Sequence, residues 1–524
     1  MMPNESMSLE EISRRSFLRK GAVGAAILAA GVRPVAAAES QLATQVRGGD
    51  GRRKLVAIQV DATAAVADGV ERVLDEVQQR ANVNTLLIDS LWFASDVSTP
   101  QVERLSRQRP IRDPNSKLIG GRVGFVNPKY YQGAGLDLSA MAPAAGTPDI
   151  LAEFCRAARE RGVRVFSLFK DSLPKAPGHE QMREVDFNGM AADTSCKSNP
   201  NYRRLLEGGM EDLIRSYDVD GIMFMAERQG PFSDTLGMRF RGVERGLPGS
   251  RTCFCPHCRA TAVQAGINVE RAIRGFEDLA RFTTEGRASR RPVDGYYVTL
   301  WRLMLRYPEL LAWEHLWHEN LRKVYRLLHA TIKKTRPSVL YGMHVWPNIS
   351  MNPLLSAEHD FAELGEYHDF IKMSVYSNAG GPRMGSYVES VGQTMFGDLP
   401  SEEVLEFHYR VMNYDEVPFT QVRQKGLKND FVYRQSKRAI DGARGTKAMI
   451  LPGIDVDIPV MQLDMGSARQ EAPPRTTRED VRRAVVQAFS AGAPGIVISR
   501  DYWEMDLENL SGVGDAVREL GITT

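Results

Sequence analysis

Short apolar or β-branched runs alternate with amphipathic helical stretches along most of the chain, and this alternation restricts the fold more than any other feature. Eight strand–helix units follow one another between Leu55 and Leu520. The predicted strands are Leu55–Asp61, Thr85–Phe93, Val163–Lys170, Gly221–Ala226, Val339–Val345, Phe370–Tyr376, Ala448–Ile454 and Gly495–Ile498. Eight consecutive units predict an α/β protein with a single (β/α)8 TIM barrel over residues 54–524.

Long insertions are predicted after three of the strands: residues 94–146 follow the second strand, 228–295 the fourth and 377–430 the sixth. The predicted helices are Val66–Arg80, Pro148–Gly162, Tyr202–Tyr217, Tyr296–Thr335, Val432–Gly442, Arg478–Ala491 and Leu510–Leu520. Active sites of such barrels lie at the C-terminal ends of the strands. Because all three insertions follow strands, we expect them to enlarge that face.

The N-terminus has the pattern of an export signal. It carries the twin arginines Arg14-Arg15, an apolar run from Gly21 to Val32, and the A-x-A-like site Ala36-Ala37-Ala38. The apolar run is shorter than the roughly 20 residues that span a bilayer. We therefore predict a twin-arginine signal peptide over residues 1–38 and a flexible leader over 39–53, with an ordinary N-terminal helix or a retained anchor as alternatives. The prediction makes the twin-arginine translocase a partner and the protein periplasmic or secreted.

Composition narrows the classes of partner. The 524 residues are 43% hydrophobic and 25% charged, and their formal net charge is +2. A nucleic-acid-binding domain would carry a basic excess, so nucleic acid is not an expected partner. No second apolar run approaches 18 residues, which predicts no stable membrane insertion after cleavage of the signal.

Four cysteines have the spacing of a metal site. Three lie in Cys253-Phe254-Cys255-Pro256-His257-Cys258, and Cys196 lies upstream. The spacing within the cluster is too tight to favour internal disulfides, whereas four thiolates suit a closed tetrahedral Zn²⁺ site. We predict structural zinc, with His257 as the fourth ligand if Cys196 is distant. A fifth cysteine, Cys155, falls on an apolar helical stripe and is predicted to be a buried structural thiol.

Polar and aromatic residues gather where the predicted strands end. Those predicted to bind substrate are Asp61, Trp92, Lys170, Arg228, His344, Trp346, Tyr376, Arg500, Asp501 and Tyr502. Strand ends are commonly polar because they meet solvent, which accounts for any one of these residues alone. Exposed aromatic side chains beside carboxylates are typical of clefts in which sugars stack on those side chains. The whole set of residues at the strand ends therefore predicts a carbohydrate-binding cleft.

Glu227 is the leading catalytic candidate. It emerges after the fourth predicted strand, and partial desolvation beside Met225 and Phe232 would raise its pKa and suit a general acid. The alternative is a scaffold ion pair with Arg228. Glycoside hydrolysis requires a second carboxylate across the cleft, for which Asp455 or Asp457 after the seventh strand is predicted. Asp501 and Glu504, after the eighth strand, compete for this role.

Two further motifs support a resemblance to known proteins. They are Cys196-Lys197-Ser198-Asn199-Pro200-Asn201-Tyr202-Arg203 together with the cysteine cluster, and Tyr217-Asp218-Val219-Asp220-Gly221-Ile222 together with Pro128-Lys129-Tyr130-Tyr131. In these segments the chain resembles barrel-type glycoside hydrolases, namely the family 42 β-galactosidases and the uncharacterised glycosyl hydrolase-like proteins. The resemblance implies a barrel, a carbohydrate substrate, and structural zinc on Cys196, Cys253, Cys255 and Cys258.

The chain also departs from that family. Family 42 enzymes have an Asn-Glu pair after the fourth strand, whereas Ala226 precedes Glu227 here. We therefore predict an exported glycoside hydrolase-like enzyme without assigning a sugar. The alternative is a non-catalytic carbohydrate-binding protein on the same scaffold. Catalytic zinc is disfavoured because four thiolates leave no open position for water.

Overall fold

Eight parallel strands close into a barrel, which confirms the predicted α/β fold. The computed structural model describes residues 53–90, 117–141, 143–240, 251–457 and 476–524, all of them within the compact unit Asp50–Thr524. The barrel strands are β1 (Leu55–Val60), β2 (Thr85–Ser90), β3 (Arg164–Lys170), β6 (Gly221–Met225), β7 (Leu340–Val345), β8 (Phe370–Ser374), β9 (Met449–Asp455) and β10 (Gly495–Ser499). Each of them coincides with a predicted strand to within a few residues.

The ring order follows the chain. The strands pair in the order β1-β10-β9-β8-β7-β6-β3-β2, and β1 closes the ring against β10, with Leu55 opposite Gly495. In this ring β10 lies directly across from β6, four strands away in either direction, while β9 is three strands away. The fourth and seventh barrel strands, which sequence reasoning set across from each other, are therefore offset by one strand.

Helices surround the barrel and fill the insertions. They are α1 (Ala62–Asp68), α2 (Val70–Ala81), α3 (Ile150–Glu160), α4 (Pro200–Ser216), α5 (Pro231–Thr235), α6 (Pro256–Gln264), α7 (Val269–Arg287), α8 (Tyr296–Arg306), α9 (Glu309–Thr335), α10 (Pro353–Ala357), α11 (Phe361–Leu364), α12 (Gly380–Gly392), α13 (Ser401–Met412), α14 (Phe419–Lys425), α15 (Phe431–Gly442), α16 (Arg478–Ser490) and α17 (Leu507–Glu519). The single helix predicted over Tyr296–Thr335 is interrupted before Pro308, because a helix seldom continues through the residue before a proline.

A hairpin that sequence reasoning missed lies between β3 and α4. Its strands, β4 (Arg183–Val185) and β5 (Ala191–Ser195), pair antiparallel. They were missed because Arg183-Glu184-Val185 and Ala191-Ala192-Asp193-Thr194-Ser195 are too short and too polar to show a period of two. The hairpin matters because β5 forms part of the cavity wall described below.

The barrel interior is a packed apolar core. Its buried members are Leu55, Ala57, Leu87, Phe166, Leu168, Met223, Phe370, Leu451 and Val497. The rings of Phe166 and Phe370 meet at 5.3 Å between centroids. A Cβ atom at Gly342 would lie 2.3 Å from the Phe370 ring, so the absence of a side chain there makes room for that ring.

Two parts of the sequence analysis fall outside the described residues. They are the predicted signal peptide, residues 1–38, with most of the leader that follows it, and Trp92 in the second predicted strand. Within the described residues, no helix combines the length and the apolar character needed to cross a membrane. Cys155 lies on α3 and is buried, as predicted, and burial raises the pKa of its thiol to about 12.

Candidate functional site

A cavity of about 360 Å³ opens at the C-terminal ends of the barrel strands. Among the described residues, its walls are formed by Gln59, Asp89, Leu168, Lys170, Asp171, Ser172, Leu173, Asp193, Thr194, Ser195, Met225, Glu227, Arg228, Phe240, His344, Pro347, Lys372, Tyr376, Arg383, Arg500 and Asp501. Polar and charged side chains predominate. The position agrees with the face on which barrel enzymes carry their active sites.

Strand register explains why several of these side chains meet. Lys170 pairs with Met225, Met225 with His344, and His344 with Lys372 across four successive strands. Side chains at one register level of a barrel point inward together. These four residues therefore form one layer, which is the floor of the cavity.

Glu227 and His344 form the central pair of the cavity. Nε2 of His344 lies 3.0 Å from Oε1 of Glu227, and the Glu227 side chain is 32% exposed while His344 is buried. Burial lowers the pKa of His344 to about 4, with the nearby Lys372 ammonium adding to the effect and Glu227 opposing it. The imidazole is therefore neutral at pH 7, and it orients Glu227 without placing a positive charge beside it.

Lys170, on the strand next to β6, pairs with the buried Asp89 of β2. The Lys170 ammonium donates a hydrogen bond to Oδ2 of Asp89. Burial nevertheless raises the pKa of Asp89 to about 6; the like charge of Asp501 contributes to this shift and Lys170 opposes it. Asp89 and Asp501 are therefore close enough for their charges to interact.

Lys372 is a fully buried lysine in the cavity floor. Its ammonium donates to Oε1 of Gln59 and, at 3.3 Å, to the hydroxyl of Tyr376. Gln59 is fixed in turn by Ser499, whose hydroxyl donates to the same oxygen at 2.9 Å. A Cβ atom at Gly453 would approach Cε of Lys372 to 2.8 Å, so this glycine leaves room for the lysine.

Arg383, on α12, lies beside Lys372 in the same wall. Its guanidinium is 4.7 Å from the ring centroid of Phe240 and 5.2 Å from that of Tyr376. Burial lowers the pKa of Arg383 to about 10, and the neighbouring Arg500 adds to the effect. Arg383 therefore adds a buried positive charge to this wall of the cavity.

Arg228, next to Glu227, is held by a buried carboxylate. Its Nη2 lies 2.5 Å from Oε2 of Glu184 on β4 and 3.2 Å from the hydroxyl of Thr252. The same Glu184 oxygen accepts hydrogen bonds from Thr194 at 2.5 Å and from Thr252 at 2.8 Å. This network fixes the cavity wall beside Glu227.

A second hydrogen-bond network, centred on Asp171, holds the hairpin of β4 and β5 in place. Asp171 accepts hydrogen bonds from Lys197 at 2.6 Å, from the hydroxyl of Ser195 at 2.7 Å, and from the hydroxyl of Tyr202. Although burial opposes it, the Lys197 ammonium holds the pKa of Asp171 below its usual value. Asp171 is therefore a carboxylate whose hydrogen-bonding capacity is already largely used.

The two carboxylates predicted to act opposite Glu227 do not line the cavity formed by the described residues. Asp455 is buried and accepts hydrogen bonds from the backbone N–H groups of Ser377 at 2.9 Å and Ala379 at 2.7 Å. Asp457 accepts from the backbone N–H of Asp506 at 2.7 Å, and burial raises its pKa to about 6. Both carboxylates therefore bind backbone groups of the segments that follow neighbouring strands.

The predicted substrate-binding residues fall into two groups. Lys170, Arg228, His344, Tyr376, Arg500 and Asp501 line the cavity. Asp61 instead caps α1 by accepting from the backbone N–H of Ala64 at 3.0 Å. Tyr502 is buried and donates its hydroxyl to Asp68 at 3.1 Å, and Trp346 packs against Phe240 with 5.9 Å between centroids.

The expectation of exposed aromatic residues is wrong for Trp346 and Tyr376. Trp346 is 4% exposed and Tyr376 is 6% exposed. Both are covered by the segments that follow the strands, which sequence alone could not position. The described cavity is accordingly lined by charged groups more than by open aromatic faces.

The four cysteines meet as predicted. Cys196, Cys253, Cys255 and Cys258 are buried, and their sulfur atoms all lie within 4.8 Å of one another. The Sγ of Cys196 is 3.3 Å from that of Cys255 and 3.5 Å from that of Cys258, so none of the four is in a disulfide. His257 is exposed and is not needed as a ligand. The donor set fits a metal ion.

This cysteine cluster supports the cavity wall directly. Cys196 follows β5, whose residues Asp193, Thr194 and Ser195 line the cavity. The backbone N–H of Phe254 donates to the carbonyl of Val185 on β4 at 2.7 Å. The cluster thus joins the hairpin to the segment that carries Cys253.

Sequence reasoning missed several lining residues, including Gln59, Lys372 and Arg383. Lys372 gave a signal, because a lysine in the middle of the apolar run Phe370-Ile371-Lys372-Met373 must point either out of the barrel or into a polar site. Arg383 gave none, since it lies on a helix of an insertion whose path the sequence does not indicate.

The chain shows distant similarity to several solved structures. No family model matches it, and none of the curated proteins does. It is similar to the glycoside hydrolase domain of PgaB (BpsB) from Bordetella bronchiseptica, with 12% identity and a TM-score of 0.45 over 90% of this chain and 99% of that one. It is also similar to two β-galactosidases. The first, from a Rahnella species, shows 12% identity and a TM-score of 0.47, with 91% and 56% covered. The second, from Halorubrum lacusprofundi, shows 12% identity and a TM-score of 0.46, with 89% and 57% covered.

The chain therefore spans little more than half the length of these two β-galactosidases. Similarity at this level carries no argument about activity. The barrel itself is established by the pairing of its strands.

Proposed function

We propose that this protein is a glycoside hydrolase that cleaves an O-glycosidic bond of a carbohydrate in the cavity at the C-terminal face of the barrel. The observation that carries the proposal is the relation between Glu227 and Asp501. Each lies two residues beyond the end of its strand, the strands are directly across the barrel from each other, and both side chains line one cavity. Two carboxyl groups on either side of the scissile bond are what glycoside hydrolysis requires.

In this proposal Glu227 is the general acid. It transfers a proton to the glycosidic oxygen as the bond between that oxygen and the anomeric carbon breaks. On the other face of the sugar, Asp501 either attacks the anomeric carbon and forms a glycosyl-enzyme ester that water then hydrolyses, with Glu227 as the base, or takes a proton from the water that attacks the anomeric carbon directly. The anomeric configuration of the first product distinguishes these two roles.

The neutral His344 suits this assignment. A cationic imidazole 3.0 Å from Glu227 would favour the carboxylate and weaken it as an acid. Because burial keeps His344 uncharged at pH 7, its ring fixes the direction of the carboxyl group and leaves the proton available to the substrate.

The choice of Asp455 or Asp457 as the second carboxylate stays a prediction from sequence. We prefer Asp501, because both oxygens of Asp455 already accept backbone hydrogen bonds and Asp457 holds the start of α17. A nucleophile or base bound in this way would have to break those contacts before reacting.

We also propose that the cysteine cluster holds structural Zn²⁺. Tetrahedral zinc with Zn–S bonds of about 2.3 Å places its sulfur ligands about 3.8 Å apart, which is close to the separations around Cys196. Burial raises the pKa of the Cys253 thiol well above its usual value, and a bound cation would offset that cost by stabilising the thiolates. Export by the twin-arginine route to the periplasm or exterior is part of the same proposal and rests on residues 1–38.

The test is hydrolysis of a panel of aryl glycosides and oligosaccharides by the mature protein, with Glu227→Gln beside it. We expect the substitution to lower kcat/KM by at least roughly a hundredfold, since general acid catalysis contributes about that much. Glu160→Gln, at an exposed site on α3, is the matched control and should keep full activity.

The outcomes separate the two function classes. Turnover that survives Glu227→Gln unchanged contradicts the assignment of Glu227. Retained sugar binding without turnover by any variant supports the alternative, a non-catalytic carbohydrate-binding protein.

A further inference from the structure

Most of the large hydrophobic side chains that are exposed in the described part of the chain lie in two segments, residues 293–311 and 395–411. The first segment lies between β6 and β7, and the second lies between β8 and β9. Exposed apolar side chains that gather in one area mark a binding surface, whereas scattered ones do not. Those in the two segments are Val293, Tyr297, Val298, Trp301, Leu305, Leu311, Leu399, Phe407 and Val411.

Four aromatic rings join the two segments into one continuous surface. The ring centroid of Tyr297 lies 6.1 Å from that of Trp301 and 6.0 Å from that of Phe396. The ring of Phe396 in turn lies 5.6 Å from that of Phe407. Trp301, Tyr297 and Phe407 are each close to half exposed. These four residues form an aromatic row that runs from α8 to α13.

Helix α8 is apolar on both of its sides. Its inner side buries Tyr296, Leu300 and Leu303, whereas its outer side carries Trp301 and Leu305, the latter 82% exposed. A surface helix of a globular protein typically has a polar outer face, and a helix that is apolar all round is typically buried. The outer side of α8 therefore has the character of a surface that another molecule covers.

The two segments are held together before any partner binds. Asp398 lies 2.6 Å from Nε of Arg291 through Oδ1, and its Oδ2 accepts a hydrogen bond from the backbone N–H of Tyr296 at 2.7 Å. A Cβ atom at Gly397 would lie 2.6 Å from the Tyr296 ring, so the segments are in close contact there. A partner would thus meet a preformed surface, which lowers the entropic cost of association.

The two ends of the aromatic row differ in shape. At the α13 end lies a groove of about 520 Å³. At the other end, the second half of α8 carries Trp301 and Leu305 on one side of the helix, four residues apart. A two-fold axis across the row would place this end of one copy against the groove of another, and the reverse contact would form at the same time. Among the described residues, the groove is lined by Tyr297, Met395, Phe396, Asp398, Leu399, Glu403, Glu406, Phe407 and Arg410.

The charges of the two ends are opposite. The groove is lined by three carboxylates and one arginine, whereas the exposed residues at the end of α8 include Arg302 and Arg306. The ion pairs among the described residues of this surface include neither Glu403 nor Arg306. The same two-fold axis would bring these opposite charges together, while contact between identical ends would bring like charges together and weaken association.

The residue types favour a protein as the partner. Protein interfaces are enriched in tyrosine, tryptophan, phenylalanine, methionine and arginine and depleted in lysine. Residues 293–311 and 395–411 together contain all five enriched types and no lysine. An aromatic side chain buries roughly 150–250 Å², so covering the exposed halves of three rings removes roughly 300 Å² from water. The exposed aliphatic and arginine side chains around the row add to this, toward the roughly 800 Å² per partner of a standard interface.

We propose that α8 and α13 form a two-fold interface with a second copy of this chain, in which Trp301 and Leu305 of each copy enter the groove of the other. Arg306 of one copy then lies near Glu403 of the other at both ends of the interface. No residue that lines the groove also lines the cavity at the strand ends, among the residues that the structure describes. The inference therefore does not depend on the proposed function.

The first measurement is the mass of the purified protein in solution. Size-exclusion chromatography with light scattering, over a range of concentrations, should give twice the mass of one chain. Trp301→Glu places a charge in the apolar contact and should raise the dissociation constant of the dimer at least roughly thirtyfold, the effect of losing a hot-spot aromatic residue. Val263→Glu, at an exposed apolar site on α6 outside the two segments, is the matched control and should leave the dimer unchanged. A thermal melt of each variant verifies folding.

An exchange of charges tests the two-fold arrangement. Arg306→Glu and Glu403→Arg should each weaken the dimer, because each variant brings like charges together at both ends of the interface. An equimolar mixture of the two variants should recover most of the affinity, since the mixed dimer has an opposite-charge pair at each end. Misfolding of either variant could not produce this recovery.

The outcomes are distinct. A wild-type protein that stays monomeric at all concentrations overturns the inference, and so does a dimer that Trp301→Glu leaves intact. A monomer that binds neutral oligosaccharides through Trp301 also overturns it and assigns the aromatic row to a sugar chain instead. These readouts do not involve turnover, so neither result bears on the proposed function.

Discussion

Arg228, the neighbour of Glu227, forms a buried ion pair with Glu184, with 2.5 Å between Nη2 and Oε2. Glu184 lies on β4, so the pair ties the residue beside the candidate acid to the hairpin that continues into Cys196. The cavity wall, the hairpin and the cysteine cluster are therefore one connected unit.

Glu184→Gln should destabilise this unit strongly. The substitution leaves the Arg228 guanidinium in a largely buried position without its counter-charge, and loss of one partner of a buried pair costs about 3–5 kcal/mol. Urea unfolding measures the change. Glu160→Gln, which affects an exposed pair with Arg156, should change the free energy of unfolding by less than about 0.5 kcal/mol. Equal effects of the two substitutions would contradict the role given to Glu184.

Cys258→Ser should remove the bound metal and lower the melting temperature by several degrees, because structural zinc contributes folding free energy. Activity should fall as well, since the wall residues Thr194 and Ser195 precede the first ligand, Cys196. Metal content by mass spectrometry and a thermal melt measure both effects.

Cys155→Ala is the matched control for the metal prediction, because Cys155 is a buried thiol outside the cluster. It should keep the full metal content. Wild-type protein purified without any bound metal, and equally stable after chelation, would exclude a structural metal.

Asp501→Asn should lower activity and leave stability unchanged, whereas Asp455→Asn should lower stability. Asp501→Asn should lower kcat by at least roughly a hundredfold with little change in melting temperature, because it removes a reacting carboxylate. Asp455→Asn places an amide donor against one of the backbone N–H groups of Ser377 and Ala379. The resulting unsatisfied donor should cost about 1–3 kcal/mol of stability.

Kinetics and thermal melts of the two variants, measured side by side, decide between the carboxylates. If Asp455→Asn loses activity while remaining as stable as the wild type, the sequence-based choice of Asp455 is correct and Asp501 is not the second carboxylate.

His344→Leu should lower kcat about 10- to 100-fold with little effect on KM, because Glu227 loses the group that orients it. His344→Gln retains an N–H donor and should recover most of the activity. The pH dependence of stability provides a second readout. Because the pKa of His344 falls from 6.5 to about 4 on folding, the unfolded chain binds more protons between these values.

Stability that depends on neutral His344 is therefore complete above pH 6.5 and is lost as the pH falls toward about 4. Melting temperatures measured from pH 7 to pH 4 should fall more steeply for the wild type than for His344→Leu. Parallel curves would show that His344 titrates normally.

The barrel could be predicted from sequence because seven of the eight predicted strands are followed by a predicted amphipathic helix. The register between the strands was not predictable. The layer that brings Lys170, His344 and Lys372 together depends on that register, so it was not predictable either. Periodicity places residues on a face of one strand, but relative heights around a barrel depend on its shear. For this reason Lys372 was missed although it lies in a correctly predicted strand.

The cluster of Cys253, Cys255 and Cys258 was predictable because its spacing is local to one segment, whereas the choice of the second carboxylate stays a prediction. Asp455 and Asp501 both follow predicted strands, and only the path of the backbone near Ser377 shows that Asp455 is already occupied. Trp346 and Tyr376 were expected to be exposed for a similar reason, since the segments that cover them come from insertions.

The cysteine cluster is assembled from both sides of one barrel strand: Cys196 precedes β6, and Cys253, Cys255 and Cys258 follow it. A chain in which β6 has not found its place between β3 and β7 presents only three neighbouring thiols. A metal ion that needs all four thiols would then be retained by correctly folded molecules and lost from misfolded ones. Metal retention would report on the quality of assembly in every molecule, independently of any turnover in the cavity.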